Sequence, residues 1–446
     1  MERTAGFAGL VVIGIFSAAL YALAVRIATW LGMEPLACHP ALVAALFALY
    51  LVGLWLVLRR LPSTPHVLAV ILGFAVLFRA LMLPTPVYLS SDIYRYLWDG
   101  RVAWAGYNPY RYPPAAVELK ALRDPVIHPQ INRPTAVTAY PPGAQWLFAL
   151  TARVAPGSIP GWRLLLLGAD IATCWVLLGL LRRIGAPATA VLAYAWSPLV
   201  VFEGIQAGHV DLALILFVLL ALAARLDGSS AGAGALLGIA VLIKVYPALL
   251  VAAWWRRHDW RFPAAVGATV ALGYLPYVAG VGVGALGFLP SYFLDRREDF
   301  NLGLRALLTW GIGFSAEVPR RLTIVLLLLA VAAALAWFGR AHARGRYDTW
   351  QTAGLAVGVW IVLGPFSVHP WYVLWMVPFL CVKPSPAWLY FSGAVVLSYA
   401  EYLVQPAPLP WWAWLGEYGP LYVLLAAGAL RRAIRPAAPP LAVRPT

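Results

Sequence analysis

A polar segment interrupts a chain that is otherwise mostly apolar, and it combines carboxylates and arginines with many aromatic rings. It reads YLSSDIYRYLWDGRVAWAGYNPYRYPP and spans residues 88–114. Asp92, Arg95 and Asp99 stand at positions i, i+3 and i+7, which places them on one face of a helix. A carboxylate in such a setting can act as a general base. The tyrosines and tryptophans around it can hold a ligand by apolar contact and keep water out.

A lysine and a His–Asp pair stand in apolar surroundings further along the chain. Lys244 lies in LIKVYPALL and is one of only three lysines among 33 basic residues. An ammonium group here suits a phosphate, although snorkelling to the membrane interface explains it as well. His209 and Asp211 are two apart at a helix start and face different ways, so this pair alone gives little support for a metal site. As phosphate and sugar contacts they need no metal.

Composition places these residues in a membrane protein. Hydrophobic residues make up 62% of the 446 residues and charged residues 11%, against about 45–50% and about 25% in soluble proteins. Apolar runs of about twenty residues recur, the length that crosses a bilayer as a helix. Backbone groups in lipid must satisfy one another, so we expect an all-α fold, a polytopic transmembrane bundle of about 11 to 14 spans. The three cysteines are isolated in sequence and indicate neither a disulfide framework nor a metal cluster.

Arginine pairs set the predicted orientation of the bundle. The net charge of +15 includes pairs such as Arg59–Arg60 that directly follow apolar runs. Under the positive-inside rule these pairs mark the cytoplasmic ends of the spans, and both termini are expected in the cytoplasm. This explanation suffices for most of the net charge, so nucleic-acid binding is not needed to account for it. We expect one transmembrane domain over residues 1–430, with 84–141 and 281–320 as extracytoplasmic loops and 431–446 as a Pro-rich cytoplasmic tail.

The apolar runs give the span boundaries. The predicted spans are about 5–29, 41–58, 66–83, 163–181, 188–207, 212–225, 262–280, 321–338, 349–367, 386–404 and 419–430. Three further segments, 142–155, 231–255 and 371–382, are too short or are broken. We expect 142–155 to enter the membrane and return, and 231–255 to fold as two short helices that meet near Lys244 and Pro247. Such backbone is tolerated only where it lines a protein cavity.

Ionisable residues interrupt these predicted spans. They are Asp170, Glu203, His209, Asp211, Lys244, His369 and Glu401. A charged side chain at mid-membrane costs about 2.5–3.5 kcal/mol on insertion scales, which makes each one a functional candidate. Most lie near the outer ends of their helices on the predicted topology, so we expect one extracytoplasmic polar pocket. For any single residue, an interfacial or helix-packing role is the alternative.

The opening segment has the pattern of an amphipathic helix on the membrane surface. Ser90 or Ser91 can cap it, and Gly106 can end it. Its predicted apolar stripe is Ile93, Leu97 and Trp104. The alternative for Asp99 is a purely structural role as the partner of Arg95. A purely structural role is a weaker explanation for Asp92, which lies where the third span emerges.

At these residues the chain resembles the type C membrane glycosyltransferases (GT-C), which use polyprenyl-phosphate sugars, and most of all their bacterial mannosyltransferase-like branch. The resemblance lies in SSDIYRYLWDGRV with GYNPYRYPP, YPPGAQ, SPLVVFEGIQAGHVDLALILFVLLAL, LIKVYPALL and HPWYVLWMVPFL, in the family's order. It covers roughly residues 83–380. Two spans precede the span that leads into the first loop, where many family members have one.

The resemblance implies a fold of many helices and a first extracytoplasmic loop that carries a catalytic acid, here Asp92. It further implies a donor pocket to which GHVD and KVYP contribute His209, Asp211 and Lys244, with His369 of HPWY nearby. The implied partners are a polyprenyl-phosphate sugar donor, with mannose favoured among hexoses, a cell-envelope glycan or glycolipid acceptor, and the bilayer of the inner membrane.

The residues agree with that chemistry. A phosphate on the anomeric carbon is already a good leaving group, so the reaction needs one base and cations for the departing phosphate, but no general acid. The sequence supports neither a cofactor nor a divalent metal. Asp92 suits the base, with Asp99 as a second and Asp211 as a third candidate. The predicted phosphate contacts are Lys244 with Arg297 or Arg305, and His369. The predicted sugar or acceptor contacts are Tyr94, Trp98, Trp104, Tyr107, His209 and Tyr246. A single displacement would invert the anomeric configuration.

Two other classes of protein share part of this pattern. A transporter or flippase of a lipid-linked saccharide also buries charges in a cavity, but it predicts inverted repeats with paired broken helices, and the sequence has no matching halves. A non-catalytic envelope-assembly subunit would leave Asp92 and Lys244 dispensable.

Overall fold

Helices and turns make up the chain, as its apolar runs require. The computed structural model describes residues 2–292, 295, 299–312, 317–364, 367–403 and 409–434, and no β-strand occurs among them. This confirms the predicted all-α fold class. The α-helices are α1 (Glu2–Trp30), α2 (Pro35–Arg59), α3 (Pro65–Met82), α4 (Asp92–Trp104), α5 (Pro142–Val154), α6 (Ile159–Arg183), α7 (Leu192–Ala195), α8 (Asp211–Leu226), α9 (Ser230–Ile243), α10 (Leu249–Trp254), α11 (Arg261–Val281), α12 (Leu289–Tyr292), α13 (Leu304–Ile312), α14 (Glu317–Ala343), α15 (Thr349–Leu363), α16 (Pro386–Ala394), α17 (Ala400–Leu403) and α18 (Trp411–Ile434).

Shorter helical turns join several of these helices. The 3-10 turns are Val117–Leu122, His128–Gln130, Ala188–Val191, Tyr246–Ala248, Gly282–Leu286, Pro370–Tyr372, Leu374–Cys381 and Val395–Tyr399, and the π-helical turn is Val200–Gln206. The segment predicted as a span over 386–404 is therefore broken into α16, a 3-10 turn and α17. The predicted tail, 431–446, starts inside α18, which continues to Ile434.

Within the described chain, six helices are long and apolar enough to cross a membrane. They are Thr4–Ala24, Pro35–Arg59, Pro65–Met82, Ile159–Arg183, Arg261–Ser291 and Arg321–Ala343. A seventh results if Ala188–Ala195 and Val200–Gln206, which are bent by 62°, count as one span. The chain is thus a multi-pass membrane protein. The predicted 11 to 14 spans exceed this number partly because α8, α9 and α15 have only 16, 14 and 15 residues.

The chain divides into two compact units. The first holds Met1–Pro86, Leu177–Gln206 and Asp299–Thr446, and the second holds Val87–Val176 and Ala207–Glu298. The polar opening segment, the GHVD motif and Lys244 all belong to the second unit. The HPWY motif belongs to the first.

In the first unit, side chains satisfy backbone carbonyl groups where the chain bends. The Arg79 guanidinium donates to the Ala195 carbonyl at 2.6 Å, and the Tyr50 hydroxyl donates to the Ala193 carbonyl at 2.8 Å. An unsatisfied carbonyl in lipid costs several kcal/mol, so these bonds allow a short, irregular helix at membrane depth.

In the second unit, the break predicted near Lys244 and Pro247 is confirmed. Helix α9 ends at Ile243, Lys244 is extended (φ −147°, ψ 148°), and α10 begins at Leu249. Proline has no N–H and restricts the residue before it, which interrupts the helical hydrogen bonds here. By contrast, the segment 142–155, expected to enter the membrane and return, is the single helix α5 with no reversal inside it.

Helix α4 exists where the sequence predicts it, but its faces are used differently. Ile93 and Leu97 are buried as expected, whereas Trp104 is 55% exposed. The polar face is buried too, because Arg95 and Asp99 are only 5% and 2% exposed. A helix buried on its polar face packs into the protein, so the expectation that this face meets water at a membrane surface is wrong.

Helices α4 and α5 approach closely at Gly100. A Cβ atom at this position would lie 2.2 Å from the backbone oxygen of Phe148. The Tyr96 ring stacks on the Phe148 ring at 4.8 Å and 11°. Only glycine permits this approach, and the approach fixes α4 against α5.

We therefore expect Gly100→Ala to lower the thermal stability of the purified protein. A methyl group against a backbone oxygen must push the helices apart, at a cost of about 1–3 kcal/mol. The matched control is Gly168→Ala in α6, where nothing lies within 4 Å of an added Cβ, and helix propensity gives a gain of up to about 1 kcal/mol. Equal unfolding temperatures for the two variants would contradict the packing argument.

Candidate active site

The carboxylate of Asp92 begins α4 and is held by two neutral donors. Nδ2 of Asn132 donates to Oδ1 at 2.8 Å, and the hydroxyl of Tyr140 donates to Oδ2 at 3.2 Å. Nδ1 of His209 lies 3.9 Å from Oδ2. Both donors are uncharged groups, so they orient the carboxylate through hydrogen bonds alone. The side chain is still 17% exposed, so a ligand atom can reach it.

Tyr140 is a hydrogen-bond donor to this carboxylate at neutral pH. Burial raises the pKa of its hydroxyl, and the Asp92 carboxylate raises it further. The ring is held edge-on by Tyr96 at 5.0 Å and by Phe148 at 5.6 Å. The protonated hydroxyl therefore has a fixed direction toward Asp92.

A sharp turn directs His209 into the same site. Gly208 has φ +73°, which favours glycine, and its carbonyl accepts from the Trp162 indole at 2.7 Å. A Cβ at Gly208 would lie 2.9 Å from Cδ1 of Ile93. His209 is fully buried, with Nδ1 3.5 Å from the Tyr96 hydroxyl. The turn thus sets the imidazole beside α4.

Asp211 and Lys244 form a buried ion pair at the start of α8. Nζ of Lys244 donates to Oδ2 of Asp211 at 2.7 Å, and it lies 5.9 Å from the centre of the Tyr246 ring. Asp211 also interacts electrostatically with Asp92. His209 and Asp211 have different partners, as their spacing predicts. The structure brings Asp92, His209, Asp211 and Lys244 together around the first turn of α8.

The other two candidate acids are engaged in ion pairs. Asp99 accepts from Nε of Arg95 at 2.8 Å, and its side chain is 3% exposed, as is that of Asp211. Among the three predicted acids, Asp92 is the most accessible. Asp99 lies four residues after Arg95, a spacing that allows their ion pair, so its role is structural.

The predicted acceptor contacts separate into buried and exposed rings. Trp98 is 1% exposed, and its ring is 5.0 Å from that of His128. This placement argues against a sugar contact for Trp98. Trp104 and Tyr107 are exposed and Tyr94 is half-buried, so a ligand can contact these three rings.

The remaining predicted phosphate contacts belong to the first unit or lie outside the described residues. Arg305 forms an ion pair with Asp299, and the His369 ring stacks on Trp371 at 4.3 Å. Arg297 lies outside the described residues. The phosphate roles of these residues stay predictions.

Three further ionisable residues are predicted for the same pocket. Glu203, in the π-helical turn of the first unit, accepts from the Tyr399 hydroxyl at 2.8 Å. Glu401 also belongs to the first unit, and Asp170 is buried in α6. Across the described chain, no group of three His, Cys, Asp or Glu residues could hold a metal ion. A reaction without metal stays a prediction.

Asn132 and Tyr140 are the contacts of Asp92 that sequence reasoning missed. They are 40 and 48 residues away from Asp92, and no periodicity joins positions so far apart. The only signal is YPPGAQ, in which Tyr140 lies two residues before the start of α5.

Comparison with known families gives one match. A family model described as Alpha-(1->6)-mannopyranosyltransferase, N-terminal domain, matches residues 3–257, more than half of the 446-residue chain. The matched range includes Asp92, Tyr140, His209, Asp211 and Lys244. No curated protein matches the chain. The matched family is enzymatic, so the comparison supports neither the transporter nor the non-catalytic subunit.

The buried ion pair predicts unequal effects of single and double substitutions. Lys244→Met leaves the Asp211 carboxylate buried without its ammonium partner, at a cost of about 3–5 kcal/mol. Adding Asp211→Asn removes that buried charge, so we expect the double variant to regain most of the lost stability. Thermal unfolding of the three proteins in the same detergent is the measurement. A double variant as unstable as Lys244→Met would contradict the importance of the pair.

Proposed function

The chain belongs to the alpha-(1->6)-mannopyranosyltransferase family, and on this premise we propose which reaction this membrane glycosyltransferase performs. It moves a mannosyl residue from a polyprenyl-phosphate sugar to a hydroxyl of an extracytoplasmic glycan or glycolipid. One observation carries the proposal: a partly exposed Asp92 carboxylate, held by Asn132 and Tyr140, lies in the same site as the Asp211–Lys244 pair.

The proposed chemistry is a single displacement at the anomeric carbon. The acceptor oxygen forms the new bond to that carbon while the bond from carbon to phosphate oxygen breaks. The acceptor proton goes to Oδ of Asp92, and the polyprenyl phosphate leaves with the bonding electrons. Attack opposite the leaving group inverts the configuration. A phosphate leaves without a proton, so one base is enough.

Asp92 is the base in this proposal because of its access and its donors. Asp99 is sealed and paired with Arg95, and Asp211 is paired with Lys244. The two hydrogen bonds to Asp92 leave lone pairs on both oxygens for an acceptor hydroxyl. Since the donors are neutral, they direct the carboxylate without removing its charge.

Lys244 is the proposed phosphate contact on the donor. An ammonium group has three N–H donors, so it can keep the bond to Asp211 and still bind an anion. Negative charge grows on the phosphate as the bond breaks, and a fixed cation stabilises it. Arg297, Arg305 and His369 are further candidates for this phosphate. We infer an extracytoplasmic site in the inner membrane from the positive-inside orientation of the arginine pairs, and a reaction without metal.

We expect Asp92→Asn to lose transfer by about a hundredfold to ten-thousandfold, the usual contribution of a general base. Asparagine keeps the shape and an oxygen for Asn132, so folding and donor binding should persist. The assay is mannosyl transfer from a polyprenyl-phosphate mannose by purified protein. Glu118→Gln, an exposed carboxyl in the same loop, is the matched control and should remain active. Full turnover by Asp92→Asn would reject this base.

The phosphate contact has its own test. We expect Lys244→Arg to bind the donor nearly as the native protein does. The double variant Asp211→Asn with Lys244→Met should bind it about tenfold to a hundredfold more weakly, the worth of a charge-assisted hydrogen bond. Equilibrium binding of a short-chain polyprenyl-phosphate sugar measures both. Equal affinity of the two variants for the donor would contradict the proposed contact between Lys244 and the phosphate.

A further inference from the structure

We propose that Gln145 is a positioning residue for Asp92, and that it acts through the segment 132–140, which carries both donors to the carboxylate. This inference rests on the proposed role of Asp92 as the base. Gln145 does not touch Asp92, and its side chain is fully buried in the first turn of α5. It is the last residue of the YPPGAQ motif.

The amide nitrogen of Gln145 ties the segment to a buried charged group. Nε2 donates to Oγ1 of Thr138 at 2.8 Å, and it lies 3.4 Å from the Tyr140 carbonyl. The same atom lies 3.3 Å from Oδ2 of Asp99. One amide group thus contacts the segment at two points and α4 at a third.

Two further bonds hold the middle of the segment. Nη2 of Arg95 donates to the Ala136 carbonyl at 3.1 Å while its Nε donates to Asp99. The Thr138 carbonyl accepts from the Phe288 backbone at 2.9 Å. Thr138 is therefore fixed through both its side chain and its backbone.

The two ends of the segment carry the donors to the carboxylate. Asn132 lies at one end and Tyr140 at the other, and the Tyr140 backbone N–H donates to Oγ1 of Thr138 at 3.2 Å. A shift of Thr138 would move the Tyr140 hydroxyl directly. Because a displacement of about 1 Å at a reacting group can cost about a hundredfold in rate, small movements of these donors matter.

Position 145 requires a neutral donor. The Arg95–Asp99 pair beside it already balances its own charge. A glutamate at 145 would add a negative charge next to Asp99 and remove both N–H donors, and a methionine would remove the donors while keeping a similar volume. Gln145→Met is therefore the informative substitution, because it keeps the packing and deletes the hydrogen bonds.

The first experiment measures the segment without any substrate. Hydrogen–deuterium exchange of the full-length protein should be faster in peptides covering 131–140 for Gln145→Met and for Thr138→Val. Thr138→Ser keeps the hydroxyl that Gln145 and the Tyr140 N–H both use, so its exchange should match the native protein. Unchanged exchange in Gln145→Met, or equal exchange in the two Thr138 variants, overturns the positioning role.

The second experiment links the segment to catalysis by a double-mutant cycle. We expect Gln145→Met to lower kcat about tenfold to a hundredfold, with KM changed by less than about twofold. If Gln145 acts through Tyr140, its substitution in a Tyr140→Phe background should cost less than about threefold more, since coupled residues are not additive. Additive losses in the cycle would overturn the inference.

The two failures can be told apart. Retained transfer by Asp92→Asn overturns the proposed base, and with it any catalytic role for Gln145, whatever the exchange data show. An inactive Asp92→Asn together with additive effects of Gln145→Met and Tyr140→Phe overturns only the positioning role.

Discussion

A carboxylate in a largely apolar protein needs hydrogen-bond donors, and the second unit supplies them at Asp92. Two neutral groups, the Asn132 amide and the Tyr140 hydroxyl, point at its oxygens. The ammonium of Lys244 is held by Asp211, which lies 33 residues earlier in the chain. The proposed base and the proposed cation therefore each have a partner of their own.

The breaks and sharp turns of the backbone in the second unit position these polar groups. A continuous helix through residues 244–248 would not leave Lys244 extended, and the chain places Pro247 where the helical bonds must stop. At Gly208 the left-handed turn brings His209 against α4. Gly100 lets α4 and α5 touch at the backbone. The irregular features surround the polar groups, while the long apolar helices form the membrane-spanning scaffold.

Much of this architecture is predictable because its causes are local. Apolar length gives the membrane helices, and Pro247 gives the break near Lys244. The i, i+4 spacing of Arg95 and Asp99 permits their ion pair. The contacts of Asn132 and Tyr140 with Asp92 depend instead on how a long loop returns to α4, which no local rule specifies. For the same reason the sequence does not reveal that Trp98 is buried, with its ring against that of His128, thirty residues away.

Chemical rescue tests the central claim most directly, since it asks whether a carboxylate is what position 92 supplies. Asp92→Ala removes the carboxylate and leaves a space between Asn132 and Tyr140 that a small anion can enter. We predict that added formate restores mannosyl transfer to Asp92→Ala in proportion to its concentration, and that chloride at equal ionic strength does not. Transfer by Asp92→Ala at the native rate without any added carboxylate would contradict the account.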